Sequence, residues 1–447
     1  MLFTKYCVIV LLLVTGLFTS CFAGRPGHSA VPPGTVIMQT ATDTMPLPNK
    51  DSSKTDAFLN DLLKQLPQYF DSVQRNRQVR NVQVIYTKVD RGANGIAALK
   101  HYYFNVNPAA YFYPAATVQF PISLLTLQKL NALKANGIDK YTTMLTEAGY
   151  GSQTAVFNDP TTIDGQPSIA HYLKKIGMTA DADAGNRLYE FLGQQYLNNQ
   201  LQQKGYTNAQ IIQRLDIPLS AEENRHTNPV KFVGPYNKVL YQQPGQYNQP
   251  TFPDHNDAPG KAADSLLVNA PMDFSSMNRI SLEDLHTMLV SLVFPNKVTA
   301  AQRFNITDED RKFMLKYMSQ LPTETTYPPY YADSGRYFPA CNKLLLFGAS
   351  KEKLPEYIRS FNTTGKGYGQ LLEVAYIVDF EKKIEFFLSA VIYCNNVGTA
   401  DDDQYDYDII GYPFMKHLGQ AIYDYEVKRE KKIEPDLEEL KFIYDKR

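Results

Sequence analysis

From Thr55 to Arg77, the apolar residues Phe58, Leu62, Leu63, Leu66, Phe70 and Val73 recur at the spacing of one helical face, and a helix is expected there. Val82 to Val89 (VQVIYTKV) then alternates and is rich in β-branched residues. His101 to Val106 (HYYFNV) follows the turn chemistry of Arg91-Gly-Ala-Asn-Gly95, so the core begins as helix and then hairpin. The middle, from about residue 121 to 320, reads as mostly helical. Leu124, Leu125, Leu127, Leu130 and Leu133 mark a helix apolar enough to be buried, and Asn186–Lys204, Ala209–Leu215 and Ser281–Val293 add further helical patterns. Polar, Pro-bearing loops separate them, notably Gly234–Lys261. The Gln/Asn-rich stretch Gln194–Gln213 is interleaved with Tyr196, Leu197, Leu201, Ile211 and Ile212, which makes it a helical face rather than a low-complexity tract.

Strands return late: Lys343–Phe347, then Glu373–Asp379 and Lys383–Tyr393 joined by the polar turn Phe380–Lys382, before a closing helix at Tyr412–Lys428. Strands at both ends of the chain with helices between them predict an α+β fold. One sheet draws strands from both ends, N- and C-terminal helices flank it, and an all-α subdomain of about residues 121–320 is inserted.

The ends add a location. Lys5 precedes an apolar run from Tyr6 to Phe18 that is too short to span a bilayer comfortably, as in a secretory signal peptide. Phe18-Thr-Ser-Cys21 resembles a bacterial lipobox, with Phe18 where Leu is usual. Cys21 is then the expected lipidation site, and cleavage after Ala23 is the alternative. Residues 1–20 are expected to be a signal segment, 21–53 a Pro/Gly/Ser/Thr-rich linker and 54–447 the folded domain. The 45 Lys and Arg against 46 Asp and Glu give no electrostatic case for nucleic acid. Beyond the leader only Cys341 and Cys394 remain, two thiols whose pairing the sequence leaves open.

Tyr111-Phe-Tyr-Pro-Ala-Ala-Thr-Val-Gln-Phe-Pro121 resembles the segment Y-F-Y-P-A-S-T-V-K-L-P of exported bacterial serine hydrolases related to class A β-lactamases and penicillin-binding proteins. Asn186–Gly193, Glu223–Pro229, Asp273–His286, Lys353–Arg359 and Ala375–Phe380 resemble the same group, in order, between about Val82 and Tyr425. The resemblance implies an antiparallel sheet of β-lactamase/transpeptidase type with a helical subdomain beside it.

It also implies three motifs, S-x-x-K, S-D-N and K-T-G. The Ser is a nucleophile at the start of a buried helix, and the Lys one turn on tunes its protonation. The second motif relays protons across the cleft, and the third offers a cation and a hydroxyl to a substrate carboxylate. Here the first reads Ala116-Thr117-Val118-Gln119, the second Ala180-Asp181-Ala182, and the third Thr363-Thr364-Gly365, with Lys366 on the far side of the glycine. Nucleophile and proton handler are absent together. Thr117 is turned about 100° around the helix, and Ser123 lies about 10 Å further along it, so neither is an obvious substitute.

No other chemistry replaces them. His28, His101, His171, His226, His255, His286 and His417 show no metal-binding spacing, and His286 reads as a packed or surface histidine. Gly365–Gly369 lies between strands and reads as a turn rather than a phosphate loop, and Asp401–Asp408 as a solvated acidic loop without the glycine of a calcium site. No metal and no cofactor are expected. The expectation is a catalytically inactive serine-hydrolase homologue at the cell envelope, in the periplasm or held to the membrane only by the lipid on Cys21. Its partner would be a cell-wall-derived or other amide ligand, or an envelope protein. An active hydrolase with a non-standard nucleophile is the alternative.

Overall fold

The computed structural model describes residues 53–249, 252, 274–395 and 404–445. The apolar segment Tyr6–Phe18, Cys21, the linker up to Ser52 and Asp401–Asp403 lie outside the described residues. In chain order the elements are α1 (Ala57–Lys64), α2 (Pro67–Arg75), β1 (Gln83–Arg91), β2 (Ala97–Phe104), α3 (Gln119–Ala132), β3 (Thr143–Thr146), α4 (Ile169–Thr179), α5 (Ala182–Leu192), α6 (Gln194–Gln203), α7 (Ala221–Arg225), β4 (Val230–Val233), β5 (Val239–Gln243), α8 (Leu282–Val293), α9 (Asp308–Ser319), β6 (Ile358–Gly367), β7 (Gln370–Asp379), β8 (Ile384–Tyr393) and α10 (Tyr412–Lys428).

The main sheet runs β2-β1-β8-β7-β6, antiparallel throughout, so strands from both ends of the chain do pair; Tyr86 on β1 faces Leu388 on β8. β7 and β8 are buried on both faces, which is why they read as near-continuous apolar runs. Their period of two sorts the side chains. Ile377, Phe386, Leu388 and Ile392 pack with Leu59, Phe70, Phe414 and Leu418 of the flanking helices α1, α2 and α10. Val374, Tyr376, Phe387 and Val391 face the other core, with Leu285 and Leu289 of α8 and Leu315 of α9.

Several elements depart from the sequence pattern. The helix expected over 55–77 is two, because Pro67 opens α2 and donates no N–H to α1. The pattern over 186–204 is likewise broken at Gly193, whose φ of 79° ends α5 and starts α6. Ala209–Leu215 is not a helix but irregular chain, with one bridge between Gln210 and Arg279. Lys343–Phe347 is not a strand: it is a series of turns in which Leu344 and Leu345 donate their N–H groups to the buried Glu373 carboxylate at 2.7 and 2.5 Å. The sixth strand is Ile358–Gly367 instead, and it carries the third motif. Within the mostly helical middle stands a small antiparallel sheet, β3-β4-β5, part of it in the expected loop Gly234–Lys261.

Other readings hold. α8 begins at the Ser281 cap, which accepts the Asp284 N–H, and α10 spans Tyr412–Lys428. His286 is packed, with Nδ1 2.7 Å from Ser389 Oγ and Nε2 2.8 Å from Thr87 Oγ1. The turn read over Gly365–Gly369 is shorter than expected: Gly365, Lys366 and Gly367 belong to β6, and only Tyr368-Gly369 turns, both with positive φ as a two-residue hairpin requires. Cys341 and Cys394 are both free thiols. Among the described residues no helix is long and apolar enough to cross a membrane.

Candidate functional site in a tyrosine-lined cleft

Ala116 lies on a single 3-10 turn, Ala115–Val118, that feeds directly into α3. α3 is buried nearly all round, as its leucine pattern implied, so this turn is anchored to a packed helix. β6 packs against it closely. A Cβ on Gly365 would stand 2.6 Å from Pro114 O and 3.2 Å from Thr117 Cγ2, so only glycine allows the approach.

The turn opens onto a cavity of about 980 Å³ whose lining includes Ala116, Ala180, Ala182 and Thr364. Positions from all three motifs therefore meet in one cleft, although two short stretches and a strand far apart in sequence supply them. Gln119, Asp181, Thr363 and Gly365 do not line it. Each of the first two has structural work. Gln119 is buried and donates from Nε2 to Asp181 O at 2.9 Å, tying the first motif to the second. Asp181 caps α5 by accepting the Ala184 N–H at 2.8 Å and lies 3.4 Å from Lys175 Nζ. Its retention needs no catalytic explanation.

The two hydroxyls nearest the first motif, already set aside on spacing, are also committed. Thr117 Oγ1 is buried and donates to Pro114 O at 2.6 Å; Ser123 Oγ is buried and donates to Gln119 O at 2.7 Å. Among cleft hydroxyls, Thr179 donates to Lys175 O at 2.9 Å, and Thr364 donates to Asn342 Oδ1. The Cys341 thiol lines the cleft, but burial pushes its pKa up to about 11, which leaves little thiolate at neutral pH.

Sequence reasoning missed most of what the cleft does present. Tyr113, Tyr337, Tyr368, Tyr405, Tyr407 and Tyr412 line it, with the exposed cations Arg336 and Lys366. Lys366 Nζ donates to Tyr412 OH at 3.3 Å and sits 5.5 Å from the Tyr407 ring centre, while Tyr407 OH accepts the Gly369 N–H at 2.9 Å. The clustering of tyrosine at 405, 407 and 412 was the available signal, but nothing in spacing tied it to residue 116. Behind the third motif, Asn362 Nδ2 donates to Asn342 O at 2.7 Å. The buried Lys343 ammonium donates to Met318 O, Ser360 O and Asn362 Oδ1. Desolvation lowers the Lys343 pKa and raises that of its neighbour Glu373.

One cleft wall is the segment 213–219, continuous with the stretch Ile211–Leu215. Asparagine side chains hold that stretch. Asn198 Oδ1 accepts from Ile211 N at 2.8 Å, and Asn278 Oδ1 from Ile212 N at 2.7 Å and Gln213 N at 2.9 Å. Asn224 Oδ1 accepts from Arg214 N at 2.9 Å, and Asn186 Oδ1 from Leu215 N at 2.8 Å. The Arg214 guanidinium faces away into a buried pair with Glu190 at 3.1 Å, so it is no cleft cation.

Among the described residues, no group of three or more His, Cys, Asp or Glu side chains is placed to hold a metal ion. The model of the β-lactamase enzyme family matches residues 71–425, the whole span that holds the sheet, the cleft and its three motif positions. The chain belongs to that family. Solved β-lactamase structures are similar to it. They include the Xanthomonas campestris enzyme (14% identity over 81% of this chain and 98% of that one, TM-score 0.46), the Clostridium kluyveri class A enzyme (13%, 80% and 98%, 0.43) and an ancestral class A β-lactamase (14%, 81% and 99%, 0.42). Comparison with curated proteins returned no match. Ala116, which the sequence resemblance sets against the motif's nucleophile, stands on a turn that faces the open cleft.

Proposed function

We propose that this β-lactamase family member does not hydrolyse its ligand but binds it, in a cleft that keeps the family's location and not its chemistry. The observation that carries this reading is the pairing of Ala116 with Gln119. A methyl group faces the cavity where a nucleophile would stand. The neighbouring side chain, which should move its proton, is an amide committed to Asp181 O. The lining suits a ligand with polar and amide groups and a negative charge, met by the tyrosines, Asn342, Lys366 and Arg336. A cell-wall-derived fragment fits that description, and a segment of an envelope protein is the other occupant of the same class.

The rival reading is an active hydrolase with another nucleophile. Treating the purified protein with a fluorophosphonate and with a fluorescent penicillin, beside an Ala116→Ser/Gln119→Lys variant, separates the two. No covalent labelling of the natural protein is expected, and labelling of it overturns the reading.

We also propose export and anchoring through Cys21, on the sequence of residues 5–21 alone. In cells fed a clickable palmitate analogue, the protein is expected to take up label and Cys21→Ser to lose it. Equal labelling of the two would remove the anchor.

A further inference from the structure

A second concavity, of about 560 Å³, shares no lining residue with the cleft. Its chemistry is different. The start of α6 contributes Gln195, Tyr196 and Asn199, and the chain after β5 contributes Gln246 and Tyr247, with Thr227 between them. Gln195 and Asn199 are four residues apart on α6 and so share a face. The side-chain amides of Gln195, Asn199 and Gln246 make no hydrogen bond to other described residues, which leaves three donor-acceptor pairs to the groove.

The aromatic component is held in place. His226 stacks on Tyr150 at 3.6 Å between ring centres and meets Tyr247 at 4.5 Å, while the Arg225 guanidinium lies 4.7 Å from the Tyr247 ring centre. Tyr247 is nonetheless 43% exposed, so part of its ring is available. The groove's single cation is spent. Arg225 Nε donates to Asn248 O at 2.7 Å, Nη1 to Glu222 at 3.1 Å, and Nη2 to Gln249 O. Gly193, with φ of 79°, completes the fit: a Cβ there would fall 2.0 Å from Gln246 Oε1.

We propose that this groove binds a neutral oligosaccharide. A primary amide both donates and accepts, as a sugar hydroxyl does, so three of them match a run of hydroxyl groups whichever way each is oriented. Tyrosine offers a rigid apolar face to the C–H side of a sugar ring and a phenol at its edge, at little cost in side-chain entropy. An acidic ligand gains nothing where the only cation is already paired. A peptide would look for a row of backbone N–H and C=O groups, and the lining here is side chains, largely from a helix. The proposal does not depend on what the cleft binds.

Isothermal titration of the full chain with chitotetraose, cellotetraose and maltotetraose tests it, with a capped tetra-alanine peptide as the fourth probe. Saturable binding of at least one sugar is expected. It should weaken roughly tenfold or more in Tyr247→Ala and in Gln195→Ala/Asn199→Ala, whose side chains are exposed and whose loss leaves the fold intact. The cleft variant Lys366→Ala should bind as the natural protein does. The proposal is overturned by no saturable sugar binding up to about 10 mM, by binding that both groove variants retain, or by binding of the peptide alone.

Discussion

The floor of the cleft and the wall beside it treat polar groups in opposite ways. On the floor, Ala116, Ala180 and Ala182 present methyl groups, while Gln119, which stands where the resemblance expects the motif's lysine, is a buried strut to Asp181 O. On the wall and the stretch leading into it, five consecutive residues from Ile211 to Leu215 have every backbone N–H accepted by a buried asparagine. The carbonyls of Ile211, Ile212, Gln213 and Leu215 are met in turn by the amides of Asn198, Gln194, Asn278 and Asn186. A side-chain amide has the same donor and acceptor as a peptide group, so this belt does for the wall what a partner strand would do. The cleft wall is thus heavily specified in shape, while the floor offers methyl groups and burial keeps the Cys341 thiol protonated. That contrast is what the proposed binding role rests on.

The sharpest way to break this comparison is to remove one link of the belt. Asn278 is fully buried, and replacing it with Ala strands the N–H groups of Ile212 and Gln213 and the carbonyl of Gln213. Ile212 and Gln213 are themselves half-buried, so water reaches part of what is stranded, and the three lost bonds together cost about 2 kcal/mol rather than the sum for three buried groups. Asn278→Ala should therefore lower unfolding free energy by about 2 kcal/mol in urea titrations. A loss below about 1 kcal/mol would show that the wall holds its course without the belt.

That belt also explains where the sequence was illegible. Ala209, Ile211, Ile212 and Leu215 have helical spacing, but the asparagines that satisfy their backbone come from residues 186, 198, 224 and 278, and no local pattern announces such partners. Lys343–Phe347 looked like a strand for a related reason. Its leucines are buried, but the Glu373 carboxylate, 29 residues from Leu344 and 28 from Leu345, takes the N–H groups that a neighbouring strand would need. Where the partners are local or the burial continuous, the reading succeeded, as for the helical pattern over Ser281–Val293, for the hairpin of β7 and β8, and for α10. The segment around Ala116 carries its own signature, and the structure sets Ala116, Ala180, Ala182 and Thr364 on one cleft. The tyrosines opposite them were not legible, since only folding brings Tyr405–Tyr412 to residue 116.

A second test concerns the seam between the main sheet and α8, where His286 is enclosed by Thr87 and Ser389. Burial pushes its pKa down to about 3, with a smaller contribution from His101. The unfolded chain, with an ordinary histidine near 6.5, binds a proton that the folded chain refuses. This contribution is therefore complete above about pH 6.5 and is lost progressively as pH falls from there toward 3. At pH 5 one such histidine costs about 2 kcal/mol relative to neutral pH. Unfolding free energies between pH 7.5 and pH 5 should fall more steeply for the natural protein than for His286→Gln. Equal slopes would mean that this seam admits a proton, and the buried polar groups beside the cleft would then be less fixed than their geometry implies.

The smallest expected effect probes the floor itself. Ala116 is only partly buried and faces the cavity, so the hydroxyl of Ala116→Ser has room, and the change in helical preference costs about 0.5 kcal/mol. A restored hydroxyl is not a restored nucleophile. Gln119 cannot take its proton, because an amide does not titrate and its Nε2 is already given to Asp181 O. Ala180 and Ala182 supply no hydroxyl to relay a proton, and the Thr364 hydroxyl is turned to Asn342. Ala116→Ser should therefore melt within a degree or two of the natural protein and show neither turnover of a chromogenic cephalosporin nor an acylation burst. A burst from this single variant would mean that the floor still activates whatever hydroxyl stands there. The contrast with the wall would then reduce to one missing oxygen atom rather than a site rebuilt for binding.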